Sequence, residues 1–134
     1  ARLRGFQHGF APGRVTPLLI PMHMEARWVY YRQQLAQFQD ASAVFAVSDH
    51  YAIDLICFLM EQGLSVPEDI SVVGFDGIDL GRFQTPSLTT LAVDARDFGE
   101  KAFELLYASM TQETTSFYSS KLKLIQGEST AQRR

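Results

Sequence analysis

Residues 43–77 read AVFAVSDHYAIDLICFLMEQGLSVPEDISVVGFDG, and the change of pattern along them decides the fold class. Ala43–Val47 is apolar on both faces, as expected of a central parallel strand covered by helices on each side. Ser48 or Asp49 then offers a side-chain oxygen to the free amides of a helix predicted over Tyr51–Gln62, and Gly63 ends that helix where a positive φ is needed. After LSVPED a second apolar run, Ile70–Phe75, reads as the next strand. Strand, helix and strand in a little over thirty residues have the size of a right-handed βαβ unit.

Outward from this unit the alternation continues. Towards the N-terminus, Trp28, Tyr31, Leu35 and Phe38 fall at three- and four-residue steps and predict a helix over Glu25–Phe38 with these residues as its core stripe. Thr16–Ile20, flanked by Pro17 and Pro21, suits a strand at a sheet edge or a strand start. Arg2-Leu3-Arg4-Gly5-Phe6 reads as part of a helix whose preceding strand lies upstream, so the chain is expected to be a piece of a longer protein. Towards the C-terminus, Leu88–Val93 predicts a third strand and Asp94–Met110 a helix, with Asp94 as cap and Phe98, Ala102, Leu105 and Leu106 as its buried stripe. Lys121–Gln126, with lysines alternating with leucines, predicts a last strand with one wet face. The fold class expected is α/β, with a mostly parallel sheet and helices on both faces.

Composition narrows the function. The 134 residues are 46% hydrophobic and 20% charged, which describes a globular chain and leaves no stretch fit to span a membrane. The net charge is −3, with five basic and five acidic residues in 1–67 and seven against ten in 68–134, so no basic face is available for a phosphate backbone. The N-terminus lacks the apolar core and cleavage site of a signal peptide. Cys57, the one cysteine, lies inside the apolar LICFLM and reads as a buried thiol in a reducing compartment.

In an open parallel sheet, ligands collect beyond the carboxyl ends of the strands. Here one strand runs into Ser48-Asp49-His50 and another into Asp76-Gly77. If the two are neighbours, Ser48, Asp49 and Asp76 share a rim, where Asp76 offers acceptors, Ser48 a donor and an acceptor, and Gly77 a sharp turn. The plainer alternatives are that Asp49 caps its helix and Asp76 only starts a turn. Catalytic readings are poorer. Three consecutive residues cannot converge as a triad, no phosphate-cradling glycine motif occurs, and His8, His23 and His50 form no metal-ligand spacing. Asp76 with Asp79 as a magnesium-assisted phosphate acceptor is an alternative without a suitably placed lysine. No catalytic residue, metal or cofactor is therefore expected.

The run from Ala43 through AVDARDFGEKAFELL resembles the C-terminal part of the effector-binding core of the lactose-repressor (LacI/GalR) family of bacterial transcription regulators. The likeness starts at Arg2-Leu3-Arg4-Gly5-Phe6, similar to the family's R-x-x-G-F, and ends at Gly127-Glu128-Ser129-Thr130, similar to its R-E-S-T. Its most specific signal is G-L-x-V-P-x-D-I-S-V-V-G-F-D followed by P-x-L-T-T. The resemblance implies a periplasmic-binding-protein-like fold of two α/β lobes with a sugar-like effector between them. It makes residues 1–134 the C-terminal lobe, with operator DNA read by a helix-turn-helix upstream. It implies a cytoplasmic homodimer, paired through the helix Tyr51–Gln62, with Ile53, Ile56 and Leu59, and through the loop around Phe83. Arg2 would fork onto effector oxygens, Asp76 would accept from effector hydroxyls, Ser48 would stand where asparagine is usual, and Met22 or His23 near where an aromatic stacks. Ser48, Val93 and Asp54 depart from the family pattern, so effector contacts through water are expected at Ser48. The rivals are a transport-type sugar-binding protein with a secretory signal and an Asp76-centred enzyme. An isolated chain with an open sheet edge is expected to be weakly stable or to self-associate.

Overall fold

A computed structural model describes residues 2–9, 14–112 and 117–132, with the side chains of Arg2, Leu3 and Gln112 outside that description. The chain divides into two compact units, Ala1–Ala41 and Ser42–Arg134.

Among the described residues the first unit holds three helices, α1 (Arg2–Gly9), α2 (Met24–Gln33) and α3 (Leu35–Asp40). The single helix expected over Glu25–Phe38 is thus two. At Gln34 the backbone turns to φ −100°, ψ 7°, and its amide bonds to the carbonyls of both Tyr30 and Tyr31, so the α-helical ladder tightens and restarts. The stripe survives the break. Tyr31 and Phe38 are buried, with ring centroids 5.9 Å apart edge to face, and Trp28 and Leu35 are half-buried. Thr16–Ile20 forms no strand, and Leu19 is 90% exposed. Proline has no N–H for a ladder, and Pro17 inside the run with Pro21 after it leaves too few donors to hold one.

The second unit is a four-stranded sheet in the order β1-β2-β3-β4, formed by Ala43–Phe45, Ser71–Asp76, Thr89–Val93 and Leu122–Ile125. β1, β2 and β3 are parallel and β4 is antiparallel to β3, so the sheet is mostly parallel as expected. β1, expected to be central, is an edge among the described residues, three residues long and extended by the amide of Ala46 bonding the carbonyl of Val73. Helix α4 (Asp49–Glu61) connects β1 to β2 and packs on β2 through Ala52, Leu55, Ile56, Phe58 and Leu59, all buried. Gly63 ends it at φ +81°, a left-handed conformation that favours glycine. A short helix, α5 (Leu80–Phe83), lies between β2 and β3, and α6 (Ala95–Gln112) follows β3. Asp94 caps α6 as expected, its Oδ1 accepting from the amides of Arg96 and Asp97 at 3.1 Å each.

The stripe expected to be buried on α6 is not. Phe98 is 53% and Leu106 60% exposed, Ala102 is exposed and Leu105 half-buried. β4 likewise has no dry face, since Leu122 and Leu124 are exposed along with Lys123 between them. Periodicity defines which side chains share a face but not what covers it. Cys57, expected to be buried, is half-buried, and its Sγ accepts a long bond of 3.6 Å from Gln84 Nε2.

Candidate functional site

The carboxyl edge of β1 and β2 gathers the polar residues singled out from the sequence. With Phe45 opposite Val73 in a parallel ladder, Ser48 and Asp76 come to the same end of neighbouring strands. Ser48 is half-buried, in extended backbone at φ −153°, one residue before α4 begins. Asp76 is the exposed last residue of β2 and has φ 125°, the one described non-glycine residue with positive φ. A side chain in that region is strained, which costs about 1–3 kcal/mol and persists only where the surroundings over-determine it.

Asp49 lies behind the turn that follows. It is fully buried at the start of α4, yet it does not cap its own helix. Its Oδ2 accepts from the amides of Gly77 at 2.7 Å and Ile78 at 2.8 Å, and its Oδ1 accepts from Thr90 Oγ1 at 2.5 Å. A buried carboxylate is tolerated only when its lone pairs are filled, and three donors from two other segments fill them here. The packing leaves it just enough room. A Cβ on Gly74 would lie 2.1 Å from Asp49 Oδ1, and one on Gly77, already at φ +77°, would lie 2.3 Å from Ala92 Cβ. The two glycines of Gly74-Phe75-Asp76-Gly77 therefore admit the carboxylate and the turn.

The plain alternative for Asp49 does not hold, since its carboxylate ties down a loop 28 and 29 residues away, while Asp76 ends its strand at positive φ where a turn begins. Ser48, Asp49 and His50 do not assemble as a catalytic group, because both oxygens of Asp49 are engaged in the interior while His50 is exposed. Asp79 lies 3.8 Å from Arg82 in an exposed ion pair. Among the described residues no group of three or more His, Cys, Asp or Glu side chains could hold a metal ion.

The remaining expected site residues fall elsewhere. Arg2 opens α1, and its side chain lies outside the described residues. Met22 is 81% exposed ahead of α2, its carbonyl accepting from Arg27. His23 is the N-cap residue of α2 and makes no side-chain cap bond. Both Arg2 and Met22 belong to the first unit, Ser48 and Asp76 to the second. Val93 ends β3, half-buried. Of the expected pairing residues, Ile53 is half-buried and Phe83 83% exposed, but Ile56 is fully buried within the chain and has no surface to give a partner. On α4, Ile56 faces the sheet, as the more crowded face of an apolar helix does. No described helix is long and apolar enough to cross a membrane.

The opposite end of the same sheet is built differently. Residues Gly127–Thr130 thread beside the starts of β2 and β3. Ser129, fully buried, accepts from the amide of Thr89 at 2.9 Å and donates to the carbonyl of Val72 at 2.6 Å through its Oγ. Its backbone bonds Val72 and Ser87. Glu128 Oε2 accepts from the amide and the hydroxyl of Ser87, both at 3.1 Å, and these bonds hold its carboxyl below the usual carboxylate range.

Comparison with known proteins agrees with this architecture. The family described as a periplasmic binding protein-like domain matches residues 1–130. The HTH-type transcriptional repressor PurR of Edwardsiella ictaluri is 38% identical over 117 residues, which are 84% of this chain and 34% of that protein. A LacI family transcriptional regulator from Arthrobacter sp. FB24, solved in complex with lactose, matches with a TM-score of 0.78 at 28% identity, over 96% of this chain and 50% of that one. A LacI family regulator from Enterococcus faecalis V583 with bound ribose matches with a TM-score of 0.82 at 26% identity, over 99% of this chain and 49% of that one. The chain thus spans about a third of the length of that curated relative and half of each solved core. With the parallel sheet, the polar carboxyl edge and the family match in agreement, the chain belongs to the periplasmic binding protein-like family, in the form carried by LacI-family transcriptional regulators.

Proposed function

We propose that this chain is the effector-binding lobe of a cytoplasmic bacterial transcription regulator, and that its effector is a sugar or a related polyol. The observation that carries the proposal is Asp76, a carboxylate held exposed and strained at the carboxyl end of β2, beside Ser48 and over a fully satisfied buried anchor. Strained backbone of this kind clusters at ligand-binding and switch positions. In this reading Asp76 accepts from effector hydroxyls, Ser48 donates or accepts directly or through water, Arg2 forks onto effector oxygens, and Met22 lines the site. The solved relatives with bound lactose and ribose support the effector class. Operator DNA would be read by a helix-turn-helix outside residues 1–134, and two copies would pair through surfaces including Ile53 and Phe83. Effector favours one of two core arrangements, and the DNA-reading parts respond to that population shift.

The test is a thermal-shift screen of the full-length protein against sugars, sugar phosphates and nucleobases, followed by calorimetry with the ligand found. A specific ligand at a hundred times its Kd raises stability by about 2.7 kcal/mol. Arg2→Ala and Asp76→Ala are each expected to weaken binding by about tenfold or more, since each removes a charged hydrogen-bonding partner. Unchanged affinity in both variants overturns the site.

A further inference from the structure

We propose that Asp49 is a positioning residue for the ligand site: it holds Asp76 in its strained backbone conformation and fixes that residue's spacing from Ser48. The inference rests on the reading that Asp76 and Ser48 face the ligand, but its mechanism stands on geometry alone. Ser48 is joined directly to Asp49, and Asp76 directly to Gly77, whose amide donates to Asp49 Oδ2 at 2.7 Å. One carboxylate therefore lies a single peptide from each of the two proposed contact residues. The second amide, from Ile78 at 2.8 Å, leaves the turn no freedom to rotate one peptide while keeping the other. Thr90 Oγ1, donating to Oδ1, anchors the same carboxylate to β3. Three segments meet at this group: the start of α4, the turn after β2 and the second residue of β3.

The chemistry selects aspartate for this task. Both oxygens must accept, one of them twice, and an ionised carboxylate is the acceptor-only group with lone pairs to spare. Charge makes each N–H bond about twice as strong as a neutral one, which suits a clamp that must hold a non-glycine residue at φ 125°. A longer side chain has no room, since a Cβ on Gly74 would already lie 2.1 Å from Oδ1. Loss of the clamp is expected to let the strained φ of Asp76 shift towards ordinary extended backbone and to change its spacing from Ser48.

Solution NMR of the protein without ligand reads this directly. The three-bond coupling between the amide and α protons of Asp76 is small at φ near 125° and large in ordinary extended backbone. Asp49→Ala is expected to change it from small to large. Asp49→Asn keeps the shape and one accepting oxygen, so it should retain a small coupling while amide exchange at Gly77 and Ile78 speeds up by about tenfold. Ser129→Ala, at the other end of the sheet, should leave both readings untouched. If Asp49→Ala does not fold, the exchange rates of Asp49→Asn decide. A small coupling at Asp76 in folded Asp49→Ala, or wild-type exchange at Gly77 and Ile78 in Asp49→Asn, overturns the proposal. Neither reading involves a ligand, so this failure is separate from a failure of the effector reading, which Asp76→Ala calorimetry tests.

Discussion

The two ends of the sheet solve the same problem with different chemistry. At the amino end, Ser129 fills a gap at the starts of β2 and β3 with a neutral hydroxyl that donates once and accepts once, and its backbone completes the pairing. At the carboxyl end, Asp49 fills the gap with a buried charge that accepts three times. The hydroxyl leaves Ser129 in ordinary backbone. The charge is bonded to the turn directly after Asp76, the exposed residue at positive φ. One end is a lock, fully satisfied within the chain, and the other is a lock that keeps a neighbour under tension.

The comparison breaks most visibly at Asp49. Asp49→Ala leaves two turn amides and the Thr90 hydroxyl without their acceptor, and urea unfolding should show a loss of about 3 kcal/mol, since bonds to a charged group contribute about 1.5–3 kcal/mol each and lose some of that to water. Ser129→Ala removes one buried donor and one buried acceptor and is expected to cost about 2 kcal/mol in the same measurement. If Ser129→Ala costs more than Asp49→Ala, the charged end is not the stronger lock.

Asp76→Gly sharpens the contrast in the other direction. Glycine adopts positive φ without penalty, so this variant should gain about 1 kcal/mol in stability while losing effector binding. A loss of stability on that substitution would mean Asp76 serves the fold rather than the site. The smallest effect is at Glu128, whose folded-state pKa is depressed by the Ser87 amide first and the Ser87 hydroxyl second. Its contribution is present above the ordinary glutamate pKa and disappears as pH falls through the depressed value. Thermal midpoints of wild type and Glu128→Gln, measured from neutral to acid pH, should therefore differ at pH 7 and converge below the folded-state pKa. Curves that stay parallel would remove Glu128 from the lock.

Legibility along the chain followed the range of the interactions. The β1-α4-β2 unit could be read from Ala43–Phe75 because unbroken apolar runs, the polar break at Ser48 and Asp49 and the glycine at 63 are all local signals. Asp94 as a cap was legible for the same reason, its partners being two and three residues away. The candidate rim was legible in part: Ser48 and Asp76 stood out as polar ends of apolar strands, but the role of Asp49 did not, because its partners lie 28, 29 and 41 residues downstream. The one available signal was the pair Gly74 and Gly77 around Asp76, which marks a close approach without saying what approaches.

Sequence by itself determined the order and type of most elements, the α/β class, and which strand ends carry polar side chains. It also carried the family's signature segments. Tertiary structure alone decided that Ile56 faces inwards and Phe83 outwards, that the apolar stripe of α6 is exposed, and that Asp49 engages the turn after β2 rather than its own helix. The division has a physical reason. Hydrophobic period and capping act within a few residues, whereas the placing of a buried charge depends on every donor that the completed fold brings within 3 Å of it.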